Sequence, residues 1–247
     1  MARGGRWGRG VVMAAGAVAA AGWLAYRAAE RALLPRQPQL AIARGNRLLQ
    51  RGRRVLAAVG RWEDLELLAG GTLRMLARAG SHITVAGPGP VPLAAPWLEL
   101  ARPQALMPEE FPADEGYSAR VQGALKRLWT DLVPDVVLVF DPVFPVGLLA
   151  HPAHILVANA ALDLAQAGRS PQAQLLLFAT RRANVLVDIT PVAAAKFAAL
   201  DMAAAATSGR ASPLTRAQRA AAGVLGRMYG RAAGARWAEG LRIVPAG

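Results

Sequence analysis

Two short segments hold the side chains best suited to chemistry. Glu63 and Asp64 are adjacent and closely follow Arg61, and His151 and His154 stand three residues apart. Carboxylates and imidazoles are the usual groups of general acid–base catalysis and of zinc sites. The chain has three histidines and no cysteine. A disulfide framework, a thiolate zinc site, an iron–sulfur cluster and a cysteine nucleophile are therefore excluded.

Both segments also have plainer interpretations. A guanidinium at Arg61 can pair with Asp64 and supply positive charge without a metal. Zinc binding by an altered ligand set and an uninvolved polar loop are the other possibilities. Two histidines at this spacing share one face of a helix start, where capping or surface roles are common. Trp62 either stacks on a sugar or fills space, and the Gly70-Gly71 pair either binds a phosphate or allows tight packing.

The elements around these segments predict a doubly wound α/β domain with a mostly parallel sheet, because buried apolar runs alternate with helical patterns. Ligands bind beyond the carboxyl ends of the strands in such sheets. A helix is expected to open at Gly70, and Thr190 is expected to cap another helix. Residues 87–112 read as irregular. Strands are predicted over 53–59, 83–86, 136–140 and 184–189, and further helices over 121–132, 151–166, 191–200 and 217–229.

Composition narrows the class of protein. The chain has 247 residues, of which 54% are apolar and 18% charged, so it has enough apolar surface for one sizeable core and is not disordered. The net charge is +13, but only two residues are lysines and the arginines are spread along the chain. No basic run is interleaved with aromatic residues, which disfavours nucleic-acid binding. The Ala-, Gly- and Arg-rich composition is typical of a GC-rich bacterial coding sequence.

The N-terminus predicts a membrane segment. An uncharged stretch covers residues 10–26 and follows three arginines. As a helix it is about 26 Å long, close to the thickness of the hydrocarbon core. Without a clean cleavage motif, a single-pass anchor in the bacterial cytoplasmic membrane is favoured over a signal peptide or a buried helix. Arginines on both flanks leave the side of the membrane open.

Four segments, in order along the chain, carry a resemblance to a known family. Residues 55–86 resemble a strand, an Ala-His-Pro-Asp-Asp-Glu loop and a Gly-Gly-Thr helix, and residues 134–154 resemble a Pro-Asp strand followed by His-Pro-Asp-His. Residues 187–200 resemble a Val-Asp-Ile-Thr segment with a downstream Lys196, and residues 235–243 a closing segment that contains Glu239. Together they resemble the PIG-L/LmbE-like zinc deacetylases, which act on N-acetylglucosamine-type substrates. The resemblance implies a Rossmann-like, LmbE-like fold over residues 53–247, after a linker over 37–52 and an anchor with its flanks over 1–36.

The resemblance also implies roles for the site residues. Glu63 falls at the general base, Asp64 and His154 at zinc ligands, and His151 at the group that helps to stabilise the transition state. Zn²⁺ is the cofactor that the family implies. Arg61 stands where the family has its third zinc ligand, a histidine, and a guanidinium does not ligate zinc.

Two functions from different classes follow. The first is a membrane-anchored N-deacetylase acting on an N-acetylated sugar or glycolipid, with reduced or lost activity in this chain. The second is a non-catalytic pseudoenzyme that serves as a sugar-binding or interaction module. The membrane and an N-acetylated sugar or glycolipid are the expected partners, and the sequence does not set the oligomeric state.

Overall fold

The computed structural model describes residues 41–42, 49–91, 96–107, 115–143, 151–167, 173–206 and 213–244. The predicted membrane segment and its arginine flanks lie outside these residues. Within the described ranges, no helix is both long enough and apolar enough to cross a membrane.

Eight strands and five α-helices make up the described domain. The strands are β1 (Ala41–Ile42), β2 (Arg54–Ala58), β3 (His82–Pro88), β4 (Arg102–Met107), β5 (Val136–Phe140), β6 (Gln174–Phe178), β7 (Val185–Asp188) and β8 (Ala238–Val244). The helices are α1 (Trp62–Arg78), α2 (Tyr117–Leu132), α3 (Pro152–Gln166), α4 (Ala193–Ala206) and α5 (Pro213–Ala233), with short 3₁₀ turns at Pro96–Glu99 and Thr190–Val192.

The strands form one sheet in the order β1-β7-β8-β6-β5-β2-β3-β4. Strand β8 runs antiparallel to β6 and β7, and all other neighbouring pairs are parallel. The mostly parallel α/β sheet predicted from the sequence is therefore confirmed. All five residues of β5 are buried. Such continuous apolar runs are typical of parallel strands that are covered on both faces.

The order of the strands sets where a ligand would bind. The chain moves from β2 through β3 to β4, then returns to β5 and β6 on the other side of β2. Right-handed crossovers then place α1 on one face of the sheet and α2 and α3 on the other. The packing agrees, since α1 contacts α4 and α5 while α2 contacts α3. The order reverses between β2 and β5, so the ligand crevice lies outside the carboxyl ends of these two strands.

Helix α1 differs most from the sequence prediction. It begins at Trp62, with Arg61 extended at the N-cap, and Gly70 and Gly71 lie in its interior. The prediction that the helix opens at Gly70 was wrong because buried polar partners hold the helix together across the glycines. Thr190 lies in a 3₁₀ turn instead of capping a helix, and its hydroxyl contacts the backbone of Trp237.

Four strands were not predicted, and the first of them, the two-residue β1, lies in the segment predicted to be a linker. Strand β4 lies within the stretch predicted to be irregular, and its first four residues are exposed. It lies at the edge of the sheet and contains Pro103, which is tolerated there. Strand β8 starts with Ala, Glu and Gly, so its pattern is not apolar, and the short apolar run of β6 has no alternation that would separate strand from helix.

Two glycine substitutions test the packing around β8. An ideal Cβ on Gly240 would lie 2.5 Å from Cζ of the buried Tyr229 ring, whereas a Cβ on Gly223 in α5 would meet no atom within 4 Å. We expect Gly240→Ala to lower the free energy of unfolding by ~1–3 kcal/mol through overpacking. Gly223→Ala should raise it by roughly 0.5–1 kcal/mol, because alanine favours a helix interior. Urea unfolding measures both; equal effects would contradict the packing described.

Candidate active site

The candidate site lies where the strand order reverses, and a glycine brings its two halves together. Gly60 follows β2, and its N–H donates to Nδ1 of His154 at 3.3 Å. A Cβ on Gly60 would lie 2.3 Å from the backbone nitrogen of His154 and 2.4 Å from the carbonyl carbon of Ala153. Only glycine therefore allows the loop after β2 to touch the start of α3.

The two predicted zinc ligands, Asp64 and His154, are hydrogen-bonded directly to each other. Nε2 of His154 lies 2.8 Å from Oδ2 of Asp64, and both residues are buried. Because Nδ1 accepts the Gly60 N–H, the neutral ring carries its proton on Nε2 and donates it to Asp64. The Phe140 ring stacks on the imidazole at 4.6 Å between centroids. Both ring nitrogens therefore have protein partners.

Arg61 lies on the outer side of this pair. Its Nε is 3.9 Å from Oδ2 of Asp64, so the carboxylate lies between a guanidinium and an imidazole. To bind zinc, His154 would have to offer the Nε2 lone pair and so give up its hydrogen bond to Asp64. No group of three His, Asp or Glu side chains suited to a metal exists in the part of the chain that the structure describes. The described side chains at this position thus supply two zinc donors, Asp64 and His154, where a catalytic zinc takes three.

The other two predicted site residues are placed as follows. His151 is the N-cap of α3, and its Nδ1 accepts from the N–H of Ala153 at 3.2 Å. Its ring centroid is 6.3 Å from that of His154. Helix capping thus accounts for one nitrogen of His151. Glu63 lies in the first turn of α1, but its side chain is outside the described part of the structure.

Trp62 fills space next to the site. Its side chain is buried and stacks on Trp97 with ring centroids 5.6 Å apart. A Cβ on Gly87 would lie 3.1 Å from the Trp62 ring. With both of its sides covered, Trp62 does not offer a free face to a sugar.

A buried ion pair holds the middle of α1. Glu239 from β8 forms an ion pair with Lys196 from α4. Oε1 of Glu239 also accepts a hydrogen bond from the N–H of Gly71 at 2.9 Å. Lys196 in turn donates to the carbonyl of Leu67 at 3.0 Å. In a regular helix the N–H of Gly71 donates a hydrogen bond to the carbonyl of Leu67. The ion pair therefore contacts both backbone groups of one helical hydrogen bond. The second oxygen of Glu239 accepts from the N–H and the hydroxyl of Thr72, each at 2.6 Å.

The Gly70-Gly71 pair therefore has a structural role. A phosphate would need the backbone N–H groups of Gly71 and Thr72, but both donate hydrogen bonds to the carboxylate of Glu239. A Cβ on Gly71 would lie 2.7 Å from Cδ1 of Ile189 and 2.9 Å from Oε1 of Glu239. The tight-packing interpretation is the one that the geometry favours.

A second buried pair lies on α1 itself, between Glu66 and Arg74. Arg74 donates to Oε1 of Glu66 at 2.6 Å and to the carbonyl of Gly70 at 3.0 Å. Burial raises the pKa of the Glu66 carboxyl, against the opposing effect of Arg74. The other oxygen of Glu66 is buried with no hydrogen-bond partner among the described residues. This pair lies within α1 and joins the first half of the helix, which carries Asp64, to its second half across Gly70.

A third buried ion pair lies at the carboxyl end of β5, the strand that precedes His154 in the chain. Asp141 follows β5 and is fully buried, and Arg242 from β8 binds both of its oxygens at 2.8 Å. Oδ1 of Asp141 also accepts the N–H of Val143. Bidentate arginine–carboxylate pairs give geometric specificity as well as energy. The pair ties the carboxyl end of β5 to β8.

Sequence reasoning missed Arg74, Thr72, Asp141 and Arg242 as parts of this region. Asp141 had one usable signal, because it directly follows an apolar strand at the ligand edge of the sheet. The pairing of Arg242 with it depends on the position of β8, which was not predicted.

Comparisons with known structures show the fold. No protein-family model and no curated protein sequence matches the chain. The N,N'-diacetylchitobiose deacetylase from Pyrococcus horikoshii superposes with a TM-score of 0.63 and 20% identity, over 78% of this chain and 84% of that one. Dbv21, a deacetylase of the A40926 pseudoaglycone, gives 0.55 and 17% identity over 79% and 98%. The chain has the fold of the LmbE/PIG-L-type deacetylases, as its sequence motifs predicted.

A third structure of this fold catalyses a different reaction. GalB, a 4-carboxy-2-hydroxymuconate hydratase from Pseudomonas putida, gives a TM-score of 0.57 and 19% identity, over 78% of this chain and 96% of that one. One architecture thus supports both amide hydrolysis and hydration. Function has to be argued from the side chains of the site.

The Lys196–Glu239 pair gives a stability prediction. Lys196→Met leaves Glu239 buried without a cation, and we expect a loss of ~3–5 kcal/mol in the free energy of unfolding. Asp201 forms an exposed pair with Arg219, and Asp201→Asn should cost under about 1 kcal/mol. Urea unfolding of both variants provides the comparison. A smaller loss for Lys196→Met than for Asp201→Asn would show that the ion pair does not hold α1.

Proposed function

We propose that this chain is a membrane-anchored relative of the N-acetyl-sugar deacetylases that has lost zinc-dependent hydrolysis and serves as a binding module for an N-acetylated sugar or glycolipid. The observation that carries the proposal is the position of Asp64. Its carboxylate lies between the imidazole of His154 and the guanidinium of Arg61.

The chemistry of amide hydrolysis supports this conclusion. In a zinc hydrolase, the metal acidifies a bound water and stabilises the developing oxyanion. Here one of the three ligand positions carries a guanidinium, which has no lone pair to offer. His154 is buried with both nitrogens engaged, so it has no free nitrogen to exchange protons with a substrate. What remains at this position is the buried Asp64–His154 pair beside the guanidinium of Arg61.

Position 61 is suited to a restoration experiment. Nε of arginine and Nε2 of histidine are each four bonds from Cα, and Nε of Arg61 already lies near Asp64. We expect the natural full-length protein, purified without chelator and re-metallated, to hold no stoichiometric zinc. Arg61→His should bind about one zinc per chain, as three protein ligands do in catalytic sites. Elemental analysis and a competition titration measure both.

The matched control is Arg61→His combined with Asp64→Asn, which should lose the acquired zinc. Acetate release from N-acetylglucosamine conjugates is followed in the same samples and should be absent from the natural protein. About one zinc in the natural chain, together with acetate release, would overturn the proposal. If neither the natural chain nor Arg61→His binds metal, the alignment of Arg61 with a ligand position is wrong.

Membrane anchoring rests on the sequence of residues 10–26. A central charge should weaken insertion, since arginine at the middle of a span costs ~2.5–3.5 kcal/mol. We expect full-length protein to stay in the membrane pellet after alkaline extraction, and Val18→Arg to shift it toward the supernatant. Val18→Leu is the control and should behave as the natural chain does. Retention of Val18→Arg, and of a chain lacking residues 1–36, would contradict the anchor.

A further inference from the structure

A groove of about 540 Å³ lies between α2 and α3, apart from the Asp64–His154 pair. It is an open surface groove, and its polar side chains are exposed. Ser118 and Gln122 line it from α2, one helical turn apart, and Asn159 and Asp163 line it from α3 at the same spacing. Residues four apart lie on one face of a helix, so two polar stripes border the groove.

The groove starts at the ligand edge of the sheet. Helix α2 follows β4 and helix α3 follows β5, so both begin beyond the carboxyl ends of parallel strands. Pro152, the first residue of α3, lines the groove and directly follows the N-cap His151. The groove and the crevice are therefore neighbours.

The polar groups of the groove are neutral with one exception. They are a hydroxyl, two amides and the carboxylate of Asp163, and no Lys or Arg is among the residues that line it. Gln122 donates to Oδ2 of Asp163 at 3.5 Å across the two helices. In a chain with a net charge of +13, this groove offers no cation to a phosphate or a nucleic acid. Amides and carboxylates are matched to hydroxyl and acetamido groups instead.

The groove also has an apolar part. Ile155 and Leu156 line it and are partly buried, and Ala160 beside them is buried. Small-ligand sites combine apolar side chains with a few polar groups that fix the orientation. A pyranose ring presents both kinds of surface, with C–H groups on its faces and hydroxyls around its edge.

We infer that this groove binds a neutral oligosaccharide, with Asn159, Gln122 and Asp163 bonding the hydroxyl and acetamido groups and Ile155 and Leu156 contacting the ring faces. This inference rests on the proposed binding function and assigns the sugar to a groove outside the former metal position. A peptide or a second copy of the chain is the alternative occupant.

The test is a calorimetric titration of the full-length protein with tri-N-acetylchitotriose. We expect saturable binding that weakens about tenfold or more in Asn159→Ala and in Gln122→Ala, since each change removes hydrogen bonds to the sugar. Gln104→Ala changes an exposed glutamine on the edge strand β4 and is the matched control. It should bind as the natural chain does.

Several outcomes overturn the inference. Absence of binding does so, as does equal affinity in both groove variants and the natural chain. Weakening by His151→Ala alone would place the sugar in the crevice. Sedimentation that shows a concentration-dependent dimer, lost in Asn159→Ala, would assign the groove to a second copy. Zinc content and acetate release, measured on the same samples, report separately on the proposed loss of hydrolysis.

Discussion

The ion pair between Lys196 and Glu239 is the interaction on which the site depends. Glu239 accepts a hydrogen bond from the N–H of Gly71, and Lys196 donates one to the carbonyl of Leu67. A regular helix would pair these two backbone groups with each other. The position of α1 along its axis is therefore set by residues from α4 and β8. Asp64 lies in the first turn of the same helix, so its approach to His154 follows from contacts made by the residues that hold the helix middle.

Buried charge also explains why the fold survives a change in its site. Apart from Asp64, the buried carboxylates described here, at Glu66, Asp141 and Glu239, each have an arginine or lysine partner. Removing one member of such a pair is costly, because the other is left as an uncompensated charge. The pairs lie around the Asp64–His154 contact without including it. The chemistry of the loop after β2 can therefore change while the framework stays in place.

The sequence predicted some strands and helices correctly and missed or misplaced others. The central parallel strands and the helix starting after His151 were predicted because apolar runs and a helix-start proline are local signals. The edge strand β4 and the antiparallel strand β8 were not predicted, because their residues do not form apolar runs. The start of α1 was misplaced because two glycines look like a helix boundary, and only partners distant in sequence hold them inside a helix.

The sequence predicted which residues lie at the candidate site, but not which side chains contact each other there. The resemblance placed Asp64 and His154 together, and the structure brings them within a hydrogen bond. Capping by His151 follows from its position before a proline. The burial of Trp62 against Trp97 depends on the turn at Pro96–Glu99, in a proline-rich stretch without regular periodicity. The roles of Glu63 and of Zn²⁺ stay predictions.

The stacked tryptophans have a spectroscopic consequence. Trp62 lies two residues before Asp64, and its ring plane is tilted by 20° from that of Trp97. Indole transitions in rings this close couple electronically, so the circular dichroism of the pair depends on the distance and the angle between the two rings. The chain has six tryptophans, and this pair sits next to the loop that carries Arg61. The molecule thus carries an intrinsic optical reporter of the conformation of its own site.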